Sequence, residues 1–139
     1  PVLRLRPPRV VGRAVCVLIH IPGLRLANTL NTRQHWRRKA DAAKRQRHTV
    51  ALVLRTHPKP LGPVVVTIVR VAPRSLDSDN LAGACKSVRD GVADWLGVDD
   101  GVAERKGDVV WQVAHRKGKV GEYGVEIAIE AMSAERRTA

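Results

Sequence analysis

Apolar residues recur along the chain at two spacings, one that suits strands and one that suits helices. Residues 14–21, Ala-Val-Cys-Val-Leu-Ile-His-Ile, are rich in β-branched side chains and predict a first strand. Over 32–54, Trp36, Ala40, Ala43, Val50 and Leu54 return near helical spacing, with Arg47 in the same stripe, and Asn28 or Asn31 can supply the cap. Pro58, Pro60, Gly62 and Pro63 close that helix and force a turn. Residues 64–72 then form a continuous apolar run broken only by Thr67 and Arg70, the pattern of a central strand covered on both faces. After Pro73 comes an acidic loop at 76–80. A helix is predicted over 81–96, with Leu81, Ala84, Cys85, Val88, Val92 and Leu96 on one side and Gly97 as its stop. Two last strands are predicted at 109–115 and 124–130, joined by the loop 117–123.

The predicted order is β-α-β-α-β-β. No repeat and no long linker divides the chain, so an α+β fold is expected, one mixed sheet packed against two helices. Residues 13–131 are read as the domain, 1–12 as a basic arm marked by Arg4, Arg6, Pro7, Pro8 and Arg9, and 132–139 as a polar tail.

Composition sharpens this picture. Among 139 residues there are three Trp, one Tyr and no Phe, so Val, Leu, Ile and Ala must fill the core. No apolar run reaches the roughly 20 residues that a bilayer span needs. Pro22, Gly23 and Arg25 follow the first apolar segment where a leader would carry small residues, which favours a strand there. Cys16 and Cys85 stand far apart with no other cysteine near, so neither a disulfide framework nor a zinc knuckle is signalled, and a reducing, cytoplasmic setting is expected.

Charge is divided unevenly. Residues 1–75 carry 16 Lys and Arg against a single acid, Asp41, whereas 76–139 carry nine against 12, with six of those acids between Asp77 and Asp100. A basic half of this strength suits a polyanion, because Lys and Arg that neutralise phosphates release counterions and bind without regard to sequence. Arg33, His35, Arg37, Arg38, Lys39, Lys44 and Arg45 are the candidate phosphate contacts. Trp36 among them offers a stacking surface, although anchoring the core is its plainer role.

The acidic half carries the candidate chemistry. Asp77 and Asp79 lie two apart where strand gives way to helix, and extended backbone there would turn both carboxylates to one side. Asp99 and Asp100 follow the next helix and could return toward them. Clustered carboxylates suit Mg²⁺, with Mn²⁺ as a substitute, because these hard ions take oxygen ligands and leave positions for substrate phosphate. On a helical projection Asp79, Gly83, Lys86 and Asp90 share a stripe opposite the apolar face, so Lys86 could donate to a phosphate and Gly83 could admit a ligand backbone. Plainer roles exist: Lys86 and Asp90 have i,i+4 spacing, and Asp79 is a good helix cap.

The run Leu76-Asp-Ser-Asp-Asn-Leu-Ala-Gly-Ala-Cys-Lys-Ser-Val-Arg-Asp-Gly-Val-Ala-Asp-Trp-Leu-Gly-Val-Asp-Asp100 resembles the core of the RusA-type Holliday-junction resolvases, endonucleases common in phages and prophages. The likeness is close over about 25 residues and looser over the β-α-β-α-β-β order; upstream, His35-Trp36-Arg37 is similar to the early segment of phage relatives. It implies a RusA-like fold and a homodimer that cuts four-way DNA junctions symmetrically, in the service of recombination and repair. Asp77, Asp79 and Asp100, with Asp99 beside them, would hold Mg²⁺, and Lys86 would match the family's essential lysine. In the family pattern that lysine comes four residues after the second Asp; here Gly83 holds the place and Lys86 lies three later, as a three-residue insertion would produce. The competing expectation is a non-catalytic or degenerate basic DNA-binding protein of the same fold, its acids serving only to cap and solubilise helices.

Overall fold

A computed structural model describes residues 15–27 and 36–132. The basic arm, Asn28, Asn31, Arg33, His35 and the polar tail beyond Met132 lie outside them. Four strands, β1 (Val15–Pro22), β2 (Val64–Ala72), β3 (Val109–Lys117) and β4 (Gly124–Ala131), form one mixed sheet in the order β1-β4-β2-β3. β2 and β3 are parallel, and β4 runs antiparallel to both β1 and β2. The loop before β4 therefore does not make a hairpin of β3 and β4; it carries the chain past the end of β2, where Gly118 N–H donates to Ala72 O at 2.9 Å.

α1 (Trp36–Leu54) contains no Gly or Pro and ends just short of Pro58 and Pro60. The segment between β2 and β3 holds three helices where one was expected: α2 (Ser78–Ala84), α3 (Lys86–Leu96) and α4 (Asp100–Arg105). The predicted helix over 81–96 begins earlier and breaks at Cys85, immediately before Lys86. Its start is capped by Asp77, not Asp79: Asn80 N–H donates to Asp77 Oδ1 at 2.9 Å. Gly97 ends α3 as predicted, in the left-handed conformation at φ 75°. α4 is an addition to the predicted order. Asp99 caps it by accepting from Val102 N–H at 3.0 Å.

The helices cover one face of the sheet. Val17, Ile19 and Ile21 of β1, Val64, Val66 and Ile68 of β2, and Val125, Ile127 and Ile129 of β4 meet Val50, Leu54, Leu81, Cys85, Val88, Val92 and Trp95. Aliphatic side chains thus fill this core, as the scarcity of aromatics requires. Helices α1 and α3 cross closely because Gly91 lacks a side chain. A Cβ at that position would lie 2.6 Å from Arg47 O and 2.9 Å from Val50 Cβ, well inside contact distance. Among the described residues no helix is long and apolar enough to cross a membrane.

Candidate nucleic-acid interface

α1 splits into two stretches. Val50 and Leu54 are fully buried, whereas none of residues 36–49 is buried. Trp36 is 67% exposed with the Arg37 guanidinium 5.3 Å over its ring, so the core-anchor reading is corrected: the indole is displayed, not packed. Ala40 and Ala43, read as core positions, are exposed too. Among the described residues nothing buries the apolar stripe of this stretch.

Between this end of α1 and the α2–α3 junction lies an open groove of ≈ 750 Å³. Its floor is made of small residues, Ala40, Ala43, Gly83 and Ala84, and its walls carry Arg25, Lys39, Lys44, Arg47 and Lys86 against one acid, Asp90. Short side chains leave the space, and the excess of cations makes it attractive to a polyanion. Gly83, Lys86 and Asp90, three of the four residues in the predicted polar stripe, do border this groove, while Asp79 does not line it. Across it Ser87 Oγ donates to Gln46 Oε1, tying α3 to α1.

The acidic residues lie around its α3 side. Lys86 Nζ donates to Asp90 Oδ1 at 2.8 Å, the expected i,i+4 pair, and also to Asp100 Oδ2 at 2.9 Å. Arg89 Nε approaches the same Asp100 oxygen at 3.0 Å, and its Nη2 donates to Glu104 Oε2 at 2.6 Å while its guanidinium stacks 4.9 Å over Trp111. The hydrogen bond from Lys86, aided by Arg89, holds the Asp100 carboxyl below its ordinary range, and the bonds to Asp90 and Asp100 raise Lys86. Lys86 is therefore protonated and Asp100 ionised at neutral pH.

No protein-family model matches the chain, and no curated protein matches it.

Of the sequence-predicted site residues, the fold brings Lys86 and Asp100 into contact and places Asp77, Asp79 and Asp99 at helix starts. Asp77 lies in extended backbone as expected, at φ −65° and ψ 168°, and caps α2, but Asp79 is already exposed in the first turn of that helix, so the two do not share one extended stretch. Among the described residues no three His, Cys, Asp or Glu side chains stand together as a metal-holding group. The four aspartates offer only oxygen, the donor a hard cation takes, but the fold does not gather three of them into one group among the described residues. Arg37, Arg38, Lys39, Lys44 and Arg45 all lie on the unburied stretch of α1. Arg25, Arg47 and Arg89 were not singled out from sequence. Arg89 lies three residues after Lys86, one helical turn away, and that spacing is the signal that could have found it.

Proposed function

We propose that this protein binds the phosphate backbone of branched DNA along the α1 groove and hydrolyses it with metal-dependent chemistry at Asp77, Asp79 and Asp100, as its resemblance to the RusA-type resolvases implies. The groove carries the binding half of this reading: five cations around a floor of small residues, ending at Lys86, which touches Asp100. Lys39 and Lys44 would hold phosphates and fix the strand's position without reading bases. Lys86, kept charged by Asp90 and Asp100, is placed to donate to a phosphate oxygen as negative charge builds there. Mg²⁺ or Mn²⁺, held by Asp77, Asp79 and Asp100 with Asp99 beside them, would supply an activated water and neutralise the charge of the phosphate. The proposed setting is cytoplasmic and the proposed assembly a homodimer, with one subunit serving each of two strands of a four-way junction.

A second reading follows from the helix caps. Asp77 and Asp99 each give an oxygen to a backbone amide, and Asp100 is engaged by two cations, so the acids have structural work without any metal. The protein would then bind DNA without cutting it. Incubating a labelled four-way junction and its linear duplex with EDTA, Mg²⁺ or Mn²⁺ separates the two. Paired, metal-dependent cuts in the junction that vanish in Asp79→Asn, with junction binding retained, are the expected result. A junction that is bound yet stays whole with either metal establishes the second reading.

A further inference from the structure

The carboxyl ends of the parallel strands β2 and β3 hold a second concentration of positive charge, separate from the α1 groove. A pocket of ≈ 340 Å³ there is lined by Pro73, Arg74, Ser75, His115 and Lys117, with no acid among them. The strand register sets Arg70 directly beside His115, and behind the pocket the Arg70 side chain is buried, only 6% exposed. Its Nε donates to Leu26 O and its Nη1 to Arg74 O, both at 2.7 Å, so the guanidinium also holds the 73–75 turn in place. Nη1 lies 3.4 Å from His115 Nδ1, and burial, with the charge of Arg70 beside it, lowers the pKa of that imidazole against a hydrogen bond to the Ala72 backbone.

Arg70 pairs with no carboxylate among the described residues. Burial lowers its pKa from the ordinary value; Cys85 and Tyr123 would oppose this if ionised, and the smallest contribution, the charge of Arg25 on the wall of the α1 groove, lowers it. The Cys85 thiol lies close enough to help if ionised, but burial pushes it up to about 11, so it is neutral at physiological pH. Buried charge without an opposite partner is costly, and a site that keeps one is poised for an anion from outside.

We infer that the pocket at the carboxyl ends of β2 and β3 is a phosphate site, with Arg74, Lys117 and Ser75 as direct donors and Arg70 as the fixed charge behind them. Ligands gather at the carboxyl ends of parallel strands in many α/β sheets, where the chain leaves the sheet and frees its loops. Arg74 precedes Asp77 by three residues, which bounds their Cα separation at roughly 11 Å. A phosphate held here would thus lie close along the chain to Asp77 and Asp79. The inference rests on the nucleic-acid reading for its natural ligand but needs no metal and no cleavage. The ligand is either a terminal phosphomonoester or an internal phosphodiester.

Inorganic phosphate, titrated at constant ionic strength, and a pair of single-stranded oligonucleotides, 5′-phosphorylated and 5′-hydroxyl, test it with the whole chain. Phosphate should raise the melting temperature saturably in the wild type and in Asp79→Asn. That rise should be lost in the double variant Arg74→Ala/Lys117→Ala, whose side chains are exposed and outside the core. The double variant should also bind the phosphorylated strand on the order of tenfold more weakly. A loss confined to that strand identifies a terminal phosphate, and an equal loss on both identifies an internal one. If phosphate and both strands bind the double variant as they bind the wild type, the inference is wrong, whatever the outcome of the cleavage assay.

Discussion

The two ends of α1 share one helix and obey different rules. From Val50 to its end the helix packs: Val50 and Leu54 are fully buried against the sheet and α3. From Trp36 to Arg47 it is basic, exposed and lined with alanines, and no residue is buried. The difference teaches that the groove is a by-product of anchoring. A helix pinned at one end by apolar contact can project its other end over the small residues of α2 and α3 and leave a cleft beneath. The pivot is the crossing at Gly91. Replacing Gly91 by Ala should break the comparison most severely, because the new methyl meets the Arg47 carbonyl and Val50, and neither is the free end of a flexible side chain. Overpacking of this kind costs about 1–3 kcal/mol. Urea unfolding should show that loss; an unchanged midpoint would mean that the helices can part without penalty.

The packing end of α1 was legible in the sequence and the projecting end was not. Helical spacing is the same in both, but periodicity tells which residues share a face and not whether the helix still has a partner there; for that reason the spacing alone assigns Trp36, Ala40 and Ala43 to the core. β2 was legible because a nine-residue run of mainly β-branched side chains admits few alternatives. The insertion of β4 between β1 and β2 was not, since strand order is decided by pairings distant in sequence. α4 is six residues long with Gly101 inside it, too short for a periodic signal. At the candidate site, the i,i+4 pairing of Lys86 with Asp90 was readable, as was the side of α3 that faces the groove. The reach of Lys86 and Arg89 to Asp100 was not, because it depends on how α4 turns back after Gly97.

Charge removal from the projecting end sharpens the comparison without touching the fold. Lys39→Ala/Lys44→Ala alters two groove-wall residues on the unburied stretch, so the melting temperature should move little; surface changes of this sort stay within about 0.5 kcal/mol. DNA affinity should fall on the order of tenfold, and the slope of log affinity against log salt should flatten by about 2, one for each phosphate that a lysine no longer neutralises. Fluorescence anisotropy across a salt series reads both quantities. An affinity that falls while the slope holds would mean that these lysines do not meet phosphates.

The smallest effect lies at the boundary between the two ends, where Arg47 forks onto Asp94 of α3 through Nε and Nη2. The hydrogen bond from Arg47, with its charge, holds the Asp94 carboxyl below its ordinary value of 3.8, against the opposing effect of burial. A carboxyl whose pKa is lower folded than unfolded stabilises the fold above the unfolded value, and that contribution disappears as pH falls through the folded one. Both side chains are about half exposed, so solvent screens the pair and the contribution is at most about 1 kcal/mol. Wild type should therefore melt slightly above Asp94→Asn at neutral pH, and the gap should close as pH drops below 3.8, where the wild-type carboxyl also becomes neutral. The pairs that Asp90 and Asp100 make are common to both proteins and cancel in the difference. A gap that persisted unchanged into strong acid would show that Asp94 acts through shape and neutral hydrogen bonding, not through its charge.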